Sequence, residues 1–234
     1  MKQPASRSQG RPAKPGPAVI TVATLKGGSG KSTVAGCLAV HWHLRGLRPA
    51  LIDADPQRSL LRLSQRDKAL GGVPVHTPRE SGEDLPDTVS QLLDKYDRVI
   101  VDTAGFRAPS TLEALSVAHL VLVPVKPSPL DVDVMLDTAR TLFQTSHQAD
   151  KGAAPRFHCV LTQTTRDSVI ARHIRSELAE AGFPLLKSEL VNRVGYSEAA
   201  LYGATPSMIE PRGPAAADIA ALAAEIETLL ETHR

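Results

Sequence analysis

The stretch Lys26-Gly-Gly-Ser-Gly-Lys-Ser-Thr33 constrains this chain more than any other. It directly follows an apolar run, VITVAT (19–24), that reads as a buried strand, and it opens a helical pattern running from Thr33 to Arg45. A strand, a glycine-rich turn and a helix in that order make a phosphate-binding loop. Gly27, Gly28, Ser29 and Gly30 form the loop itself, the glycines letting the backbone curl so that successive amides point inward at phosphate oxygens. The helix adds its amino-terminal dipole. Lys31 is placed to neutralise the β- and γ-phosphates, Ser32 to offer a hydroxyl to Mg²⁺, and Thr33 to donate to the α-phosphate. A nucleotide and Mg²⁺ are therefore the expected ligands.

Two acidic strand ends follow in the order such a site requires. Pro49-Ala-Leu-Ile-Asp53 reads as a strand running into Asp53-Ala-Asp-Pro-Gln57, and RVIVD (98–102) as another ending in Asp102. The carboxyl edge of a parallel sheet is where open α/β proteins bind ligands. Asp102 suits a hard cation held through a water. Asp55, ahead of Pro56, also has the character of a helix cap.

The rest of the chain supplies the scaffold. HLVLVPV (119–125) and FHCVLT (157–162) are further strands, and helical segments pass through Leu60, Leu61 and Leu63 and through Val89 to Leu93. The strands are continuous apolar runs rather than alternations, as expected when both faces of a parallel sheet are covered. The reading is α/β: a single doubly wound, mostly parallel sheet with helices on both faces. Val34, Cys37, Leu38, His41 and Leu44 are expected on one face of the first helix. Ile219, Leu222, Ala223, Ile226, Leu229 and Leu230 mark a closing amphipathic helix packed on the sheet. His41 and His43 flank Trp42 but point to different faces, so they do not converge on a ligand.

Residues 1–18 form a basic, Pro-, Gly- and Ser-rich tail with no acid, expected to be disordered, before a domain over 19–234. An electrostatic tether to DNA or a partner and a passive solubilising tail stand as equal readings of it. Overall, 27 basic residues against 25 acidic ones leave a net charge of +2, too little to imply nucleic acid on its own. Cys37 and Cys159 are isolated and read as core residues rather than a disulfide or zinc site. No membrane-spanning run or signal sequence is present, so a cytoplasmic location is expected.

One departure is informative. A general phosphate loop begins with glycine where this chain has Leu25, and Lys26 stands ahead of the glycines. KGGxGKST with that leading lysine resembles the deviant loop of the ParA and MinD superfamily. Val123-Pro-Val-Lys-Pro-Ser-Pro-Leu-Asp131 and Val191-Asn-Arg-Val-Gly-Tyr-Ser-Glu-Ala199 resemble segments of small ParF-like ParA partition ATPases. The resemblance runs from about Val19 to the C-terminus. It implies a slow, partner-stimulated Mg²⁺-ATPase that dimerises on ATP, binds DNA non-specifically and associates with the nucleoid. It further implies that Lys26 crosses to the partner's phosphates, that Asp55 orients the attacking water, and that Asp53 supports the magnesium shell. Arg166, Arg172, Arg175, Lys187 and Arg193 are the candidate DNA contacts. Residues 1–18 are too few for the helix-turn-helix domain of larger relatives, and the acidic last helix does not suit a membrane anchor. The implied partners are a second copy, DNA and an adaptor protein that stimulates hydrolysis. DNA partition, positioning of a protein cargo on the nucleoid, and a metal-cluster carrier or small-molecule kinase or ligase are the functions weighed.

Overall fold

Seven strands lie side by side in the order β3-β2-β4-β1-β5-β6-β7, every adjacent pair parallel. The computed structural model describes residues 16–24, 27–78, 84–105, 109–128, 140 and 156–232. The strands are β1 (Ala18–Thr24), β2 (Pro49–Ala54), β3 (Val75–His76), β4 (Arg98–Gly105), β5 (Leu120–Val125), β6 (Arg156–Thr164) and β7 (Leu185–Val191). Helices among the described residues are α1 (Lys31–Leu44), α2 (Ser59–Ser64), α3 (Leu85–Leu93), α4 (Pro109–Ser116), α5 (Val169–Glu180), α6 (Val194–Leu201), α7 (Pro206–Ile209) and α8 (Pro214–Glu231). A short 3₁₀ turn spans Ala69–Gly72. The doubly wound sheet predicted from the apolar runs is the one observed.

β1 and β5 are buried along their whole length, because hydrophobic clusters lie on both sides of the sheet. α1 and α8 cover one face with Val34, Leu38, Ile219, Leu222 and Ile226; α3, α4 and α5 cover the other. From β1 the chain turns to β2 on one side, and from β4 to β5 on the other. The carboxyl ends of β1 and β4 therefore flank the point where the winding reverses, the usual crevice for a ligand.

Two expectations are corrected. Leu44, expected on the same face as Val34 and Leu38, is 52% exposed, since the last turn of α1 turns Trp42 inward instead. β7 is a strand that the apolar runs do not announce, because LLKSELV is an edge strand with polar residues in its middle. Its outer edge is closed by carboxylates of α8. Glu225 accepts from the backbone N–H groups of Lys187 and Ser188, both at 2.8 Å, and Asp218 accepts from Val191 at 3.4 Å. An edge so covered offers no template for another strand.

The described fold begins slightly before Val19. Ala18 is buried in β1, and the Gly16 carbonyl accepts from Arg98 at 2.9 Å. The rest of the tail expected over residues 1–18, residues 1–15, lies outside the described residues.

Candidate nucleotide site

The loop after β1 is built by its own glycines and by a brace from β6. Gly28 (φ 77°) and Gly30 (φ 90°) adopt the left-handed conformation that favours glycine, and Gly30 caps α1. Thr162 donates its hydroxyl to the Ser29 carbonyl at 2.8 Å, and Gln163 donates its side-chain amide to the Gly28 carbonyl at 2.8 Å. Gln163 itself is left-handed (φ 52°), a conformation a non-glycine residue adopts only when its surroundings hold it there. Lys31 is 9% exposed at the start of α1, Ser32 is half-buried and Thr33 is exposed. Lys26 and Leu25 fall outside the described residues.

The acidic pair is brought together by strand register. Asp53 on β2 and Asp102 on β4 are direct partners, and Asp102 is also level with Val22 of β1. Asp102 is wholly buried, and neither carboxylate oxygen closes a hydrogen bond of good geometry. Its carboxyl is raised to about 7, chiefly by burial and also by Asp53 and Asp55, against the downward pull of Ser32 and Lys31. Asp53 is 2% exposed and is also raised, first by burial. It accepts the N–H of Leu61 at 3.0 Å and that of Asp55 at 3.3 Å.

This geometry alters one sequence expectation. The carboxylate at the amino end of α2 is Asp53, which accepts the Leu61 N–H in the first helical turn. Asp55 instead accepts the Gln57 N–H at 2.8 Å, a local turn closure. Asp55 is half-buried and lines an open pocket of about 410 Å³ with Asp53, Arg58, Asp84 and Glu113.

A cation fits here. A buried carboxylate with both oxygens unpartnered, beside a serine hydroxyl and a phosphate loop, is the donor set Mg²⁺ favours. Among the described residues no group of three or more His, Cys, Asp or Glu could hold a metal ion.

A second pocket, of about 270 Å³, opens on the other flank of the loop, between Gly30, Thr33, Gln163, Asn192, Arg193 and Tyr196. Arg193 is bound there by Asp218 at 2.8 and 3.1 Å. Arg175 is likewise paired, with Glu189 at 2.6 Å. Arg166, Arg172 and Lys187 are exposed, the Arg172 guanidinium donating to the Asp167 carbonyl at 2.9 Å. The candidate DNA contacts are therefore not brought together as one set of unmatched charges.

Thr162 and Gln163 belong to the site although no sequence motif includes them. Their signal is a general one: polar residues at the carboxyl end of an apolar strand, where a parallel sheet meets its ligand.

Fold and site together define a nucleotide-binding protein of the phosphate-loop class. The chain matches the CobQ/CobB/MinD/ParA nucleotide binding domain over residues 20–206 and belongs to that family. It is an ATP-binding and ATP-hydrolysing switch-type ATPase of the ParA/MinD kind. Protein ParA of Rhizobium radiobacter is 28% identical over 209 residues, covering 86% of this chain and 90% of that protein. The maintenance of carboxysome distribution protein A of Halothiobacillus neapolitanus is 28% identical over 202 residues, covering 85% and 91%. The cell division ATPase MinD of Pyrococcus furiosus shares the fold, with a TM-score of 0.69 at 20% identity over 91% of this chain and 99% of that one. No helix among the described residues is long and apolar enough to cross a membrane.

Proposed function

We propose that this protein is an ATP-dependent dimerising switch that holds DNA without regard to sequence and drives the partition of plasmid or chromosomal DNA. The observation that carries the reading is the buried, unpartnered Asp102 set beside Asp53 and the braced phosphate loop. Such a site is organised around a phosphate-bound cation. The likeness to a protein ParA across most of both chains supports partition as its use.

In this reading Lys31 and the loop amides bind the phosphates, and Ser32 and Asp102 hold Mg²⁺ with Asp53 in support. When bound, Mg²⁺ offsets the charge that develops on the phosphate oxygens. Asp55 orients the attacking water, and its exposure to the open pocket leaves room for a second copy to close over it. Lys26 reaches the partner's phosphates, where two nucleotides facing one another would otherwise repel. Hydrolysis is slow until an adaptor protein stimulates it.

A second reading, favoured by the relative named for carboxysome distribution, moves a protein cargo on the nucleoid with the same cycle. A metal-cluster carrier is disfavoured. Cys37 and Cys159 are both buried, and burial pushes each thiol up to about 12, far from the thiolate a metal needs.

The test is nucleotide-dependent dimerisation. Light scattering with a slowly hydrolysed ATP analogue and Mg²⁺ should show a dimer for the natural chain and a monomer for Lys26→Gln, with calorimetric ATP affinity retained. Lys31→Ala should abolish nucleotide binding outright. A Lys26→Gln protein that dimerises normally would refute the switch. A pull-down with ATP-trapped protein separates a centromere-binding adaptor from a cargo adaptor.

A further inference from the structure

Arg175 and Arg193 have their charges matched by Glu189 and Asp218, which weakens them as contacts for phosphate. The helix beside the nucleotide site carries a denser row of cations. Arg58, Arg62 and Arg66 recur every fourth residue along α2 and the turn after it, and all three are exposed, as is Lys68. Arg62 lies within α2, Arg58 caps its start, and Arg66 and Lys68 follow in the turn beyond its end. Asp67 is the only acid from Arg58 to Lys68.

This basic ridge is held rigidly from behind. The Arg66 guanidinium donates to the carbonyls of Ala200 and Leu201 at 2.8 and 3.1 Å. The backbone N–H groups of Lys68 and Leu70 donate to the carbonyls of Tyr202 and Gly203 at 2.9 and 2.8 Å. Gly203 (φ 67°) packs so closely that a Cβ there would strike the Leu63 carbonyl oxygen and Arg66. The seam sets Leu201 and Tyr202, 67% and 54% exposed, beside the ridge.

We propose that the ridge of Arg62, Arg66 and Lys68, with Leu201 and Tyr202 at its shoulder, is the surface that receives the phosphate backbone of DNA. This rests on the DNA-holding reading given above. A cluster of exposed cations suits a polymer of phosphates, and backbone contacts carry no base information, so binding is indifferent to sequence. The half-exposed Tyr202 and Leu201 supply apolar surface for sugar. The ridge is also tied to the nucleotide, because Asp53, beside the phosphate loop, holds α2 through the Leu61 N–H.

The test is fluorescence anisotropy with a labelled duplex of arbitrary sequence, a slowly hydrolysed ATP analogue and Mg²⁺, across a salt series. Arg62→Ala/Lys68→Ala should bind about tenfold more weakly and flatten the log–log salt slope by about two, one for each cation withdrawn from the phosphates. Its nucleotide affinity and light-scattering dimer should be unchanged, and Arg62→Lys/Lys68→Arg should restore binding. Arg193→Ala should change the slope far less. An Arg62→Ala/Lys68→Ala protein that keeps the natural affinity and slope overturns the ridge while leaving the DNA-holding reading intact. A natural chain that shows no salt-sensitive DNA binding in the ATP-like state overturns that reading, and the ridge with it.

Discussion

Strand β4 carries two buried charges, Arg98 at its start and Asp102 further along, and the two are treated in opposite ways. At its start Arg98 is fully buried, yet its guanidinium is well bound: it pairs with both carboxylate oxygens of Glu227 and donates to the carbonyls of Gly16 and Asp97. Four residues on, Asp102 is equally buried and its oxygens are unpartnered. A charge so well partnered holds structure together: Arg98 ties α8 and the entry of the chain to the base of the sheet. A charge whose hydrogen bonds are incomplete is costly unless something arrives to complete them. The amino end of the sheet is thus built for stability and the carboxyl end for a ligand.

The largest expected effect is at the paired end. Arg98→Ala leaves Glu227 without its partner and should cost about 3–5 kcal/mol. Urea denaturation would show this as a fall in the midpoint, with ATP affinity of the remaining folded protein near normal. A loss under about 1 kcal/mol would mean that Arg98 is no more structural than a surface charge.

Asp102→Asn should act with the opposite sign on stability. Because the folded carboxyl is raised to about 7, its favourable contribution is complete below the unfolded carboxylate value and is lost as pH rises through 7. Above pH 7, without nucleotide or metal, Asp102→Asn should therefore melt higher by about 5 °C. Its advantage should shrink below pH 5, while Mg²⁺-dependent hydrolysis falls about a hundredfold. A lower melting temperature at pH 8 would contradict the contrast directly.

Asp55→Ala sharpens it further, since Asp55 is not fully buried. Hydrolysis should fall at least about tenfold, with ATP affinity within about twofold and stability within about 0.5 kcal/mol of the natural chain. Single-turnover kinetics beside calorimetry would separate the two quantities. Thr162→Val should produce the smallest change, weakening ATP binding by about 1 kcal/mol through loss of one hydrogen bond that holds the loop.

The phosphate loop, its two acidic strand ends and the layered α/β plan were legible because each is written in adjacent residues. Glycines permit a turn, an apolar run buries a strand, and Lys31, Ser32, Asp53 and Asp102 take their places from the ends of those elements. The pairing of charges could not be read that way. Arg193 meets Asp218 across 25 residues and Arg98 meets Glu227 across 129, so no local pattern distinguishes a neutralised arginine from a free one. The same holds for Asp53 rather than Asp55 at the head of α2, for the brace from Thr162 and Gln163, and for β7, whose polar edge is completed by carboxylates of α8. Local sequence determines what a segment can become, because backbone conformation and burial pattern are short-range. Which charges are satisfied is decided only when distant elements pack, because a hydrogen bond requires its partner to be within about 3 Å.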